Sequence, residues 1–79
     1  MTKRRGPADI RERFGYAVRH RREELGLTQE DLAEKAELHR TYLSDIERGS
    51  RNVSLINIEQ IAQGLDLTLA ELFRRVGQS

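Results

Sequence analysis

No cysteine occurs in this chain of 79 residues, which excludes disulfides and thiolate metal sites and fits a reducing compartment. Aromatic residues are scarce at 5%, there is no tryptophan, and the single proline is Pro7. No apolar run approaches a membrane span, and the N-terminus lacks the apolar stretch of a signal peptide, so a cytoplasmic protein without membrane contact is expected. Nor is there an excess of charge: 14 Lys and Arg stand against 13 Asp and Glu, a formal net charge of +1. Bulk electrostatics therefore announce no polyanionic partner. A hydrophobic content of 37% suffices for one small core but not for one enclosing a deep substrate cavity, which argues against an enzyme.

Charge is unevenly distributed, however. Lys3, Arg4, Arg5, Arg11, Arg13, Arg19, Arg21 and Arg22 are opposed only by Asp9 and Glu12, whereas Glu30, Asp31, Glu34 and Glu37 crowd the next stretch. Such a dipole suits phosphate binding on one side, although solvated helix faces of mixed charge would give the same counts. Residues 1–8 hold too little apolar surface to fold and are expected to form a basic arm. That arm either reaches DNA or merely solubilises the chain.

From residue 9 to residue 77 the pattern predicts one all-α domain of five helices, with no alternation of strand type. Asp9 and Glu12 resemble a capping box for a first helix carrying Ile10, Phe14, Ala17, Val18 and Leu25, stopped at Gly26. Thr28 with Asp31 caps a second helix from about Gln29 to Ala36, and a third spans about Arg40 to Arg48 before Gly49. Ser54 caps a fourth, with an apolar face of Leu55, Ile58, Ile61, Ala62 and Leu65. Thr68 with Glu71 caps a fifth, carrying Leu69, Leu72, Phe73 and Val76.

The second and third helices form the centre of the chain. Leu32, Ala33 and Ala36 share one face, Leu43 and Ile46 another, and Leu38 plugs the turn, as in a helix-turn-helix. The outer face of the third helix holds Arg40, Thr41, Tyr42, Ser44, Asp45 and Arg48, a set of donors, acceptors and cations suited to base edges and phosphates. Arg40 and Thr41 in its first turn, with Ser44, Asp45 and Arg48, are the candidate base readers. Arg40 has a fork matching guanine O6 and N7, and its cation is unfavourable beside the positive helix end unless something outside the protein compensates. Asp45 would either accept from cytosine N4 or restrain Arg48 or Arg40. Gln29, Tyr42, Ser50, Arg51 and Asn52 are candidate phosphate contacts, with Tyr42 equally able to pack its ring inward.

The run GLTQEDLAEKAELHRTYLSDIERGSRNVSLINIEQIAQGLDLTLAELF resembles the lambda-repressor-like (Xre) family of helix-turn-helix regulators, and TYLSDIERGSRNVSL is similar to the controller proteins of restriction-modification systems. The resemblance extends from about Phe14 to Phe73. It implies a sequence-specific transcriptional regulator bound to double-stranded DNA, an Arg22–Glu47 salt bridge in which Arg22 also faces phosphate, a phosphate contact from Gln29, and core places for Leu72 and Phe73. Two departures stand out: Glu37 where the family favours Gly, and His39 where Ser or Thr would cap the third helix.

Apolar residues in excess of one core suggest a homodimer closed by exposed Leu69 and Val76, with Leu67 and Ile56, and hence an inverted-repeat operator. The chain carries no segment suggesting a cofactor or a small-molecule effector, so regulation through protein concentration is expected. A protein-interaction adaptor or antitoxin component is the alternative reading. His39, Ser44 and Asp45 lie on one short helix and cannot converge as a triad, and His20 and His39 lack the cluster a metal site requires.

Overall fold

Four of the five helices of the described residues start where a side chain can accept the first free backbone N–H groups. In the computed structural model, which describes residues 9–78, Asp9 accepts from the N–H of Arg11 at 2.9 Å and of Glu12 at 3.3 Å, opening α1 (Ile10–Glu24). Thr28 and Asp31 close a reciprocal capping box on α2 (Gln29–Ala36). Ser54 caps α4 (Leu55–Gly64) by accepting from Asn57 N–H, and Thr68 and Glu71 exchange two hydrogen bonds at the start of α5 (Leu69–Gln78). Only α3 (Arg40–Glu47) begins without a side-chain cap from its N-cap residue, His39. The basic arm expected over residues 1–8 lies outside the described residues.

The turn between α2 and α3 is tight despite the absence of glycine. Glu37 adopts the left-handed conformation at φ 60° and ψ 42°, and the Leu38 N–H reaches back to the Ala33 carbonyl at 2.8 Å. A non-glycine residue there costs about 1 kcal/mol. Leu38, half-buried against the core, helps to hold the turn.

Phe14, Val18, Leu32, Leu43, Ile46, Ile61, Leu65, Leu72 and Val76 fill the core. The first helix packs against α3 and α5, and α2 packs against α3 and α4. Gly15 makes the crossing of α1 and α3 possible: a Cβ there would sit 2.3 Å from the Ile46 carbonyl oxygen and 2.7 Å from that of Glu47. At its far end α1 is tied to α4 by Arg21, whose Nε donates to the Leu65 carbonyl at 3.0 Å.

Several apolar positions differ from the sequence expectation. Val76, expected on the surface, is 2% exposed, while Phe73, expected inside, is 43% exposed. The four large apolar residues of α5 fall at positions 69, 72, 73 and 76, a stripe wider than one contact face, so the rotation of the helix decides which of them are buried. Its seat on α1 turns Leu72 and Val76 inward and leaves the Phe73 ring tilted against Phe14, with ring centroids 6.3 Å apart. Leu67 is half-buried against the core, whereas Ile56 and Leu69 remain exposed as expected. Ile10, Leu25 and Leu55 sit at helix ends beyond the reach of a covering element and are exposed, so the apolar face of α4 begins only at Ile58.

Candidate nucleic-acid interface

Glu47, half-buried at the end of α3, is the anchor of the site. Its side chain is 4% exposed and that of Arg22, on α1, 12%. Arg22 grips the carboxylate with one edge of its guanidinium, Nε to Oε2 at 2.8 Å and Nη2 to Oε1 at 3.1 Å, while Nη1 donates to the Leu27 carbonyl at 2.8 Å. Hydrogen bonding to Glu47 raises the Arg22 pKa above its ordinary value despite the opposing effect of burial, so the guanidinium stays charged. The expected salt bridge is therefore present, as a link between α1 and α3.

Gln29 joins the same carboxylate, its Nε2 donating to Glu47 Oε1 at 3.0 Å. This bond was not foreseen from the sequence. It takes one amide hydrogen and leaves the second, together with the side-chain oxygen, available to a ligand. Arg22, Gln29 and Arg40 line one shallow groove with Thr28 and Glu30, and Arg22 and Gln29 line a second with Arg19, Ser44, Glu47 and Arg48. These grooves bring the first turns of α2 and α3 onto one surface.

Arg40 and Thr41 are exposed in the first turn of α3. Among the described residues neither has a side-chain hydrogen bond or ion pair. The unfavourable position of the Arg40 cation at the positive helix end is thus uncompensated within the domain.

One turn later lies a different arrangement. Asp45, with a side chain 17% exposed, pairs through Oδ1 with Arg48 Nη2 and through Oδ2 with Arg51 Nε and Nη2, both at 3.3 Å. Arg48 also donates to Ser44 Oγ at 2.8 Å. The Arg51 guanidinium lies 5.2 Å from the centre of the Tyr42 ring, a cation–π contact. Tyr42 packs its ring against the core and accepts at its hydroxyl from Asn57 Nδ2 at 3.1 Å, which leaves the phenolic proton free to donate. Asp45 restrains arginines, one of the two roles open to it in the sequence, with Arg51 joining Arg48 in place of Arg40. Ser50 donates through both N–H and Oγ to the Asp45 carbonyl, each at 3.0 Å, and Asn52 is exposed beside it.

Gly15, Asn57 and the Gln29–Glu47 bond went unread in the sequence. A glycine amid an apolar helical stripe was the one visible signal among them; the role of Asn57 depends on a partner fifteen positions away. Among the described residues no group of acids and histidines could hold a metal ion, and no helix is long and apolar enough to cross a membrane.

An all-α domain with two helices at a tight turn, the second presenting an arginine that has no partner among the described residues beside a half-buried Arg–Glu link, has the organisation of a DNA-reading module. Residues 18–72 match the helix-turn-helix family, and the chain belongs to this family of DNA-binding regulators, whose members are not enzymes. More narrowly, it is similar to restriction-modification controller proteins. It is 52% identical over 66 residues to control protein C.MunI from a Mycoplasma species, covering 82% of this chain and 89% of that protein. With control protein C.BamHI from Bacillus amyloliquefaciens it shares 51% over 65 residues, covering 81% and 80%. The crystal structure of the controller protein C.AhdI from Aeromonas hydrophila superposes with a TM-score of 0.79 at 46% identity, over 85% of this chain and all of that one. A tetramer of the controller protein C.Esp1396I in complex with its natural 35 base-pair operator superposes with a TM-score of 0.84 at 36% identity, covering 91% and 95%.

Proposed function

We propose that this protein is a cytoplasmic, sequence-specific transcriptional regulator that binds an inverted-repeat operator as a homodimer and controls a restriction-modification operon. The observation that carries this reading is the outward face of α3, where Arg40 and Thr41 stand free beside the groove of Arg22 and Gln29. Residues 9–77 form the DNA-binding and dimerising domain.

In this reading α3 enters the major groove. Arg40 places its fork on guanine, Thr41 offers a methyl to thymine or a hydroxyl to an acceptor, and Ser44 and Arg48 reach the next bases. Gln29, held by Glu47, gives its second amide hydrogen to a phosphate at the N-terminus of α2, where the helix dipole favours an anion. Arg22 adds its remaining donors, and Tyr42, Ser50, Arg51 and Asn52 hold the neighbouring backbone. Exposed Ile56 and Leu69, flanked by Leu67 and Phe73, supply the dimer contact, whereas Val76 belongs to the core. The operator-bound tetramer of C.Esp1396I supports both the oligomer and the ligand.

The test is a titration of an enriched and a random duplex between 50 and 200 mM salt. Counterion release by a dimer with several phosphate contacts per protomer predicts a loss of affinity on the order of a thousandfold across that range. Salt-independent or undetectable duplex binding would reject the proposal in favour of a protein-interaction adaptor.

A further inference from the structure

The carboxylate of Asp45 is misplaced for a protein that binds a polyanion. It lies on the face of α3 read here as the DNA-binding surface, and phosphates that meet Arg48 and Arg51 meet it too. Yet both of its oxygens are bonded, its backbone carbonyl receives the two Ser50 donors, and the Arg51 fork it holds is also fixed over the Tyr42 ring. The arginine side chains remain 62% and 52% exposed, so the unbonded edges of both forks still face solvent.

We infer that Asp45 is a specificity-determining residue that touches no DNA, holding Arg48 and Arg51 in a charge-reduced, pre-aimed state that weakens binding to arbitrary duplex more than binding to the operator. The inference rests on the DNA-binding reading above. The trio Arg48–Asp45–Arg51 carries one net positive charge where the arginines alone would carry two. Affinity for arbitrary duplex comes almost wholly from phosphate neutralisation, so it bears the full effect of the missing charge. Operator affinity adds contacts from Arg40 and Thr41, whose side chains form no hydrogen bond or ion pair with Asp45, and it benefits from arginines whose orientation is set before binding.

Asp45→Asn removes the charge with little change of shape, and Asp45→Ala removes the group without introducing an amide. Each should let a protomer neutralise about one more phosphate. The slope of log K against log salt for random duplex then steepens by about 0.9, and that duplex is bound about eightfold tighter at 0.1 M salt, per protomer engaged. The selected operator gains less, so the operator-to-random ratio falls by about three- to eightfold. Adding Arg51→Gln to Asp45→Asn removes one positive charge as well and should return the slope to that of the parent.

Three results would overturn the inference. A changed base preference at one operator position with random-duplex affinity unmoved makes Asp45 a direct reader. An equal change in both affinities leaves no discrimination to explain. Variants that fail to fold by circular dichroism make Asp45 a structural tie. A parent protein that binds neither duplex overturns the DNA-binding reading itself, whereas a parent that binds, with an unchanged ratio in the variants, overturns this inference alone.

Discussion

Replacing Glu47 by alanine would remove the acceptor that satisfies Arg22 twice and Gln29 once. Arg22 would be left with the Leu27 carbonyl and an otherwise unmatched charge 12% exposed. Breaking a fully buried pair by deleting one partner costs about 3–5 kcal/mol. Here Arg22 borders open grooves on two sides, so water can re-solvate part of the guanidinium, and about 2–3 kcal/mol is expected. For a domain of this length that is a fall in Tm of roughly 10–20 °C. Thermal unfolding followed by circular dichroism measures it directly, with Glu47→Gln as a control that keeps the shape and one acceptor and should fall less. Duplex affinity should drop alongside, without a change in preferred sequence, because Arg22 and Gln29 are assigned to phosphates. A shift of under about 3 °C, less than 1 kcal/mol, would mean that the pair is fully solvated and does not join α1 to α3.

The remaining predictions concern packing, assembly and pH. Gly15→Ala should destabilise the fold by about 1–2 kcal/mol, because overpacking against the Ile46 carbonyl outweighs a helix-propensity gain of about 1 kcal/mol; a higher Tm would disprove the close crossing. Ile56→Asp, at a position 70% exposed, should keep the melting transition but weaken self-association by about 2 kcal/mol, roughly thirtyfold, in sedimentation; an undisturbed dimer would remove Ile56 from the interface. Acceptance of backbone N–H from Thr28 and Thr68 lowers the pKa values of Asp31 and Glu71. The stability these carboxylates add is complete above about pH 5, over the ordinary carboxylate values, and is lost as pH falls through their lower folded-state values, so Tm should hold from pH 7 to about 5 and drop below about 4. Asp31→Asn should flatten part of that drop.

Most of the helical framework is legible in local sequence because its determinants are local. Thr28 with Asp31, Ser54, and Thr68 with Glu71 mark three helix starts through bonds spanning three residues, and the left-handed glycines Gly26 and Gly49 mark ends, whereas the left-handed turn at Glu37 shows only in the structure. The Arg22–Glu47 link follows from family resemblance, since nothing local joins residues so far apart. What escapes is set by how helices turn against one another. The spacing of Leu69, Leu72, Phe73 and Val76 fits more than one rotation of α5, and only its seat on α1 buries Val76 and leaves Phe73 exposed. Gly15 looks like a weak point in α1 until α3 is laid across it. In the candidate interface the residue types were readable, but the division of labour was not. Asp45 is offered in the sequence as a base reader or as a restraint on Arg48 or Arg40, and only the fold brings Arg51 onto it; Gln29 is offered as a phosphate contact, and only the fold sets Glu47 beside its amide.

Whether α3 reads base edges through its first turn is tested most directly by selecting bound sequences from a random duplex pool, in parallel with the parent and Arg40→Ala. The parent should enrich an inverted repeat with half-sites about one helical turn, roughly 34 Å, apart. Arg40→Ala should bind about 1–3 kcal/mol more weakly and lose preference at one or two positions in each half-site, while a parallel selection with Gln29→Ala returns the parental sequence. A pool that yields no repeat, or identical profiles from the parent and Arg40→Ala, would contradict the account.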